Sequence, residues 1–151
     1  MAGLVFMSVI FSGCSLNTAI LLPTEFQKEI YSQNNKIISE DNYTFLKRVK
    51  YDKEDYKAIE FEGFYGSNTL ELMEIEQSSI VNIDFESEIV EGKFKIVLIT
   101  PQKEVMNISE DTEKGTFKII APEGNYAIKI VGNSASGKVI IKTSKDDVLS
   151  G

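Results

Sequence analysis

Cys14, in VIFSGCSLN (9–17), is the single thiol of a 151-residue chain that contains no histidine and no tryptophan. Those absences remove most catalytic tools. Without histidine there is no Ser-His-Asp triad, no Cys-His pair and no imidazole ligand for zinc. One cysteine closes no internal disulfide and completes no CxxC metal or redox site. Cys14 itself keeps the reactivity of a thiolate, a nucleophile toward lipid or metal.

The chemistry left in quantity is that of 23 Asp and Glu. Glycoside hydrolysis needs two carboxylates facing across a cleft, about 5–9 Å apart. No pair is singled out by spacing, so a carboxylate hydrolase is the weakest reading and the chain is expected not to be an enzyme. Two acidic stretches invite calcium: Glu110, Asp111 and Glu113 in SEDTEKG (109–115), and Asp52, Glu54 and Asp55 in YDKEDY (51–56). Neither has the alternating oxygen ligands that wrap an EF-hand loop. Both read as solvated loops, with no metal and no cofactor expected. GNSASGKV (132–139) falls one residue short of a P-loop, because Val139 stands where a hydroxyl would bind magnesium. The following KVIIKTS alternates as a strand, so the stretch reads as a hairpin turn in which Gly132 and Gly137 supply backbone freedom. In GFYGSN (63–68), Phe64 and Tyr65 point to opposite faces of a strand. One belongs to the core, which leaves Tyr65 as the candidate platform for a ligand ring.

The formal net charge is −7. Binding nucleic acid needs Lys and Arg to neutralise phosphates, so that class of partner is disfavoured. FLKRVKYDK (45–53) is the one basic run, and it reads as a solvated strand face.

The elements that must position these residues are mostly strands. From residue 43 onward apolar residues recur at period two: Ile59 and Phe61, then Val81, Ile83 and Phe85, then Phe94, Ile96 and Leu98, then Phe117 and Ile119, then Tyr126, Ile128 and Ile130. Turn chemistry separates the runs at PQK (101–103), SEDTEKG, PEGN (122–125) and GNSASG (132–137). The spacing predicts about nine short strands in antiparallel sheets with one wet face each, an all-β sandwich. Before them, Thr24 with Gln27 three places on predicts a capping box and one short helix over 24–31. SQNNK (32–36) reads as a loop.

Residues 4–11, LVFMSVIF, form an uncharged apolar run too short to span a bilayer and of the length of a signal-peptide core. With Ser12, Gly13 and Cys14 behind it, the segment resembles a bacterial lipobox, although Phe11 stands where leucine is usual. The resemblance implies cleavage after Gly13 and diacylglycerol on the Cys14 sulfur. No Lys or Arg precedes the apolar run, so the true start is expected upstream of Met1. The later sequence also resembles a known group. GKFKIVLITPQKEV and GTFKIIAPEGNYAIKIVGNSASGKVIIK, with Tyr126, Ile128, Ile130, Gly132, Ala135, Gly137, Val139 and Ile141 as its theme, are similar to the C-terminal half of small bacterial lipoproteins of unknown function. In flavour they also resemble the accessory β-sandwich domains that follow secreted peptidases. The likeness covers roughly residues 60–143 and implies a jelly-roll-like sandwich without naming an activity.

The expected organisation is therefore a signal peptide (1–13), a lipidated Cys14 with tether and short helix (14–40), a β-sandwich domain (41–145) and a tail (146–151). The expected role is a non-enzymatic binding or structural module of the cell envelope. It would be held on the extracytoplasmic face of the membrane through Cys14, with an envelope polysaccharide or protein as partner. The alternative is a carbohydrate- or peptide-binding accessory module. Exposed Tyr or Phe along a hollowed sheet would favour that alternative, and a flat charged face would count against it.

Overall fold

A computed structural model describes residues 22–148; Cys14 and the lipobox lie outside the described residues. The chain opens with α1 (Glu25–Glu29), a 3₁₀ turn (Ile30–Ser32) and α2 (Asn34–Ile37). Seven strands follow: β1 (Asn42–Thr44), β2 (Lys47–Asp52), β3 (Lys57–Ile75), β4 (Ser79–Ile99), β5 (Val105–Glu110), β6 (Glu113–Ala121) and β7 (Gly124–Asp147). All strand pairs are antiparallel.

The fold class matches the sequence expectation, and the strand count does not. Three strands, β3, β7 and β4, are 19, 24 and 21 residues long. Each runs through two segments that alternate separately in the sequence. They cross from one layer to the other at register shifts between Phe61 and Phe64, between Ile89 and Lys93, and near Ala135. A β-bulge bends a strand without ending it. The result is one hydrogen-bonded sheet folded over itself. The front layer has the order β2-β3-β7-β4-β6, and the back layer has the order β1-β3-β7-β4-β5. GNSASG is accordingly no hairpin. It is strand interrupted by a bulge at Ser134 (φ +61°), with Asn133 on one side and Ala135 and Ser136 on the other paired to β3 and β4. Gly132 is needed there for space: a Cβ would lie 2.5 Å from Phe64 Cδ2. GSN (66–68), made of residues common in turns, is likewise strand. Gly66, at φ +110°, lets Asn42 O pass where a side chain would sit.

Other elements differ in detail. SEDTEKG closes tightly at Asp111–Thr112, because Asp111 accepts from Phe94 N–H (3.1 Å) and Glu113 accepts from Glu110 N–H (3.1 Å). These acids are spent on turn formation. Residues 34–36 of the expected loop are helical, as part of α2. The capping box forms as read: Gln27 N–H donates to Thr24 Oγ1 (3.1 Å), and Thr24 N–H donates to Gln27 Oε1 (3.0 Å).

The core lies between the layers. Ile59, Val81, Ile83, Val139 and Ile141 from the front meet Phe94, Ile96, Leu98, Ile128 and Ile130 from the back, all buried. Where the strands cross between layers, Phe45 stacks on Phe64 at 4.5 Å and Phe61 on Phe94 at 5.4 Å. Truncating a buried phenylalanine such as Phe64 typically costs about 3–5 kcal/mol.

The outer face of the back layer is covered by the helical segment. Ile30 and Ile37 pack on Val97, Ile99 and Val131 in a second buried cluster. Lys129, in the middle of that face, is 5% exposed. Its ammonium donates to Ile37 O (2.9 Å) and Ser39 O (2.7 Å) and lies 3.3 Å from Asp41 Oδ1. Asp41 in turn accepts from Thr69 N–H and Thr69 Oγ1, both at 2.8 Å. A buried charge is tolerable only with such a full set of partners. Here it staples the end of the helical layer to β7.

Candidate ligand-binding face

The outer face of the front layer has no covering element among the described residues. Antiparallel pairing lines its side chains up in rows across the strands. One row reads Tyr51, Ala58, Ile140, Glu86 and Lys114. The next reads Val49, Glu60, Lys138 and Glu88. On the other side of the first lie Lys142, Asp84 and Thr116. An apolar strip, exposed Tyr51 and Ile140 with half-buried Ala58 between them, thus crosses three strands between two mainly polar rows. Neighbouring strands are about 4.8 Å apart, so the strip is roughly 10 Å long.

The face is hollowed along this strip. A central hollow of about 330 Å³ is lined by Tyr51, Ala58, Glu60, Glu86, Lys138 and Ile140, with Glu88 at its wall. It shares Glu60 with a hollow of about 360 Å³ toward Lys47, Glu62 and Glu91. It shares Glu86 and Ile140 with one of about 350 Å³ toward Asp84, Thr116 and Lys142. The three form a shallow trough running diagonally over the sheet.

Its polar groups are partly committed. Lys138 pairs with Glu88 (3.3 Å) and Lys114 with Glu86 (4.0 Å), both in solvent. Thr116 Oγ1 donates to Asp84 Oδ1 (2.6 Å). The Tyr51 hydroxyl donates to Glu60 Oε2 at 3.5 Å, a long contact that leaves the carboxylate largely available. At the rim, the Lys57 ammonium lies 2.5 Å from Asp52 and holds its carboxyl below the usual range; the same contact raises Lys57.

The arrangement suits binding. Ligand sites combine apolar floor with a few convergent polar groups. Here a tyrosine ring and an isoleucine offer a floor, and carboxylates and ammonium groups on both flanks offer acceptors and donors. The basic run in β2 is wholly exposed, as read, and it contributes Tyr51 and Lys47 to the trough.

Tyr65 lies elsewhere. It is half-buried on β3, in a row with Thr44, Asn133 and Lys93 on the back layer's outer side, away from the trough. Phe64 beside it is core, as the alternation requires. Sequence reasoning passed over Tyr51 and Ile140. One signal was present: in KVIIKTS two isoleucines are adjacent, so one of them must face outward.

No family model matches the chain, and none of the curated proteins compared with it matches. Solved structures give distant likenesses. A carbohydrate-binding module of family 29 aligns at 16% identity over 71% of this chain and 81% of its own, with a TM-score of 0.38. The pre-peptidase C-terminal domain of a collagenase from Bacillus anthracis aligns at 10% identity over 69% and 89%, with a TM-score of 0.40. An exo-β-1,3-galactanase from Phanerochaete chrysosporium aligns at 8% identity over 70% of this chain and 27% of its own, with a TM-score of 0.43. At these scores the likenesses carry neither family nor ligand over to this chain.

Proposed function

We propose that this protein is a binding module, not a catalyst, and that the front trough takes an extended carbohydrate. The observation that carries the reading is the strip Tyr51-Ala58-Ile140, running from edge strand β2 to central β7 and uncovered among the described residues, on a sandwich whose opposite layer is covered. A sugar ring has an apolar C–H face for a tyrosine ring and an edge of hydroxyls for flanking Glu60, Lys138 and Glu86. A strip of about 10 Å favours an oligosaccharide over a single sugar.

We further propose that Cys14 carries the lipid and holds the module on the outer side of a bacterial membrane, as in the small lipoproteins that the sequence resembles. Two or more acyl chains make a stable anchor where one gives only marginal binding. In support, the described chain enters through the helical layer, on the side of the sandwich away from the trough. An anchor there leaves the trough facing outward.

Two experiments test the parts separately. Titration of the protein with hexamers of glucose and of N-acetylglucosamine, followed by tyrosine fluorescence, is expected to saturate with at least one of them. Tyr51→Ala is expected to lose about tenfold or more in affinity, within the range that stacking on an aromatic ring contributes. Binding that is indifferent to Tyr51 would refute the trough. For the anchor, Cys14→Ala is expected to move the protein from the membrane to the soluble fraction with the β domain still folded. A variant that stays membrane-bound would refute lipidation at Cys14.

A further inference from the structure

We infer that the glycan this trough fits is cationic, an amino-sugar polymer with free ammonium groups; the inference rests on the trough being the binding face. The argument is charge complementarity along the hollow. Between its centre and its Glu62 end, five carboxylates (Glu60, Glu62, Glu86, Glu88 and Glu91) face two ammonium groups, Lys47 and Lys138. Lys138 is committed to Glu88, and Glu86 takes Lys114. Among the described residues Glu60, Glu62 and Glu91 form no ion pair. Glu60 faces Lys138 and Glu62 faces Lys47 across the strands without closing an ion pair, so what remains is an excess of carboxylates over ammonium groups; beside an apolar floor that excess raises the local concentration of cations. The net charge of −7 adds to the same field.

A glycan fits better than a basic peptide. Of the strands beneath the strip, β3 and β7 are paired on both sides, so a chain crossing them finds no free backbone ladder there, and only the outer edge of β2 is open. Recognition therefore falls to side chains: a flat ring on Tyr51, an apolar contact on Ile140, and ring substituents reaching Glu60 and Glu62. A 2-amino sugar carries its ammonium on the ring edge, which is where those carboxylates stand.

The test compares the hexamers of glucosamine and N-acetylglucosamine, which differ by the acetyl group that removes each ammonium charge, by calorimetry at low and high salt, with hexalysine as control. The glucosamine hexamer is expected to bind at least about tenfold tighter at low salt, with most of the difference gone near 1 M salt, where screening reaches about 3 Å. The double variant Glu60→Gln/Glu62→Gln is expected to remove most of that difference while keeping the affinity for the neutral hexamer. If both hexamers bind equally and Tyr51→Ala still weakens both, the charge inference falls and the trough stands. If neither binds, or Tyr51→Ala changes nothing, the trough falls and takes the inference with it. Hexalysine binding as tightly as the glucosamine hexamer, with no dependence on Tyr51, would show a general cation surface and overturn the glycan assignment.

Discussion

The two outer faces of the sandwich are built from the same three long strands, yet they end differently. On the back face Val97, Ile99 and Val131 present apolar side chains, and Ile30 and Ile37 close over them. The polar group among them, Lys129, is drawn in and fully partnered. On the front face Tyr51, Ala58 and Ile140 form an apolar strip that no other element covers among the described residues. Its charges stay in water, paired loosely or not at all. An apolar side chain under a helix stabilises the fold. The same side chain left open at a strand centre adds little to folding, and its use lies in what it can meet from outside.

That contrast is open to direct attack. The largest effect is expected on the covered face. Lys129→Met keeps the length and removes the charge, leaving two carbonyls without their donor and Asp41 held by Thr69 without its counter-ion. It should cost about 3 kcal/mol in a denaturant titration, with faster amide exchange in the helical layer. A cost below ~1 kcal/mol would mean that the helical layer is held mainly by Ile30 and Ile37. Next comes Thr24→Ala, which breaks the reciprocal cap of α1 and should cost about 1 kcal/mol, read as a drop in midpoint without a change in slope. On the open face Tyr51→Ala should change stability by no more than ~0.5 kcal/mol even as it removes binding. A loss of several kcal/mol would mean that the strip is structural. The smallest effect belongs to Asp52 and Lys57 at the rim. The Asp52 carboxyl is held low by Lys57, so its contribution is present above the unfolded value and fades as pH falls through the lowered folded one. Both side chains are in solvent, so Asp52→Asn should melt close to the parent at neutral pH, and the two curves should converge in acid.

Much of the body could be read from period two alone. Ile59 with Phe61, Val81 with Ile83, and Ile128 with Ile130 all point inward as the alternation requires. The capping box at Thr24 and Gln27 was legible because it is a local pattern. The long strands were not, because glycine and polar residues mark a bulge and a turn with the same letters. GNSASG bends β7 between layers without ending it, and only the pairing with β3 and β4 distinguishes the two. Lys129 reads in sequence as a solvated lysine on a wet face. Its partners are carbonyls some ninety residues away, which no local window contains. The trough escaped for a related reason. Tyr51 and Ile140 lie on strands distant in sequence, and they join one strip only through Ala58 between them. Alternation with Phe64 puts Tyr65 outside the core, but it cannot tell which outer face a strand that changes layer presents there.

The central claim is that the front face, and not the back, meets the ligand. Mapping amide shift changes by NMR during titration with the glucosamine hexamer tests it most directly. The account predicts that the changes centre on Tyr51, Ala58, Glu60, Glu86 and Ile140 and leave residues 25–38 and Lys129 still. Changes centred on the helical layer or around Tyr65, with the strip silent, would contradict it.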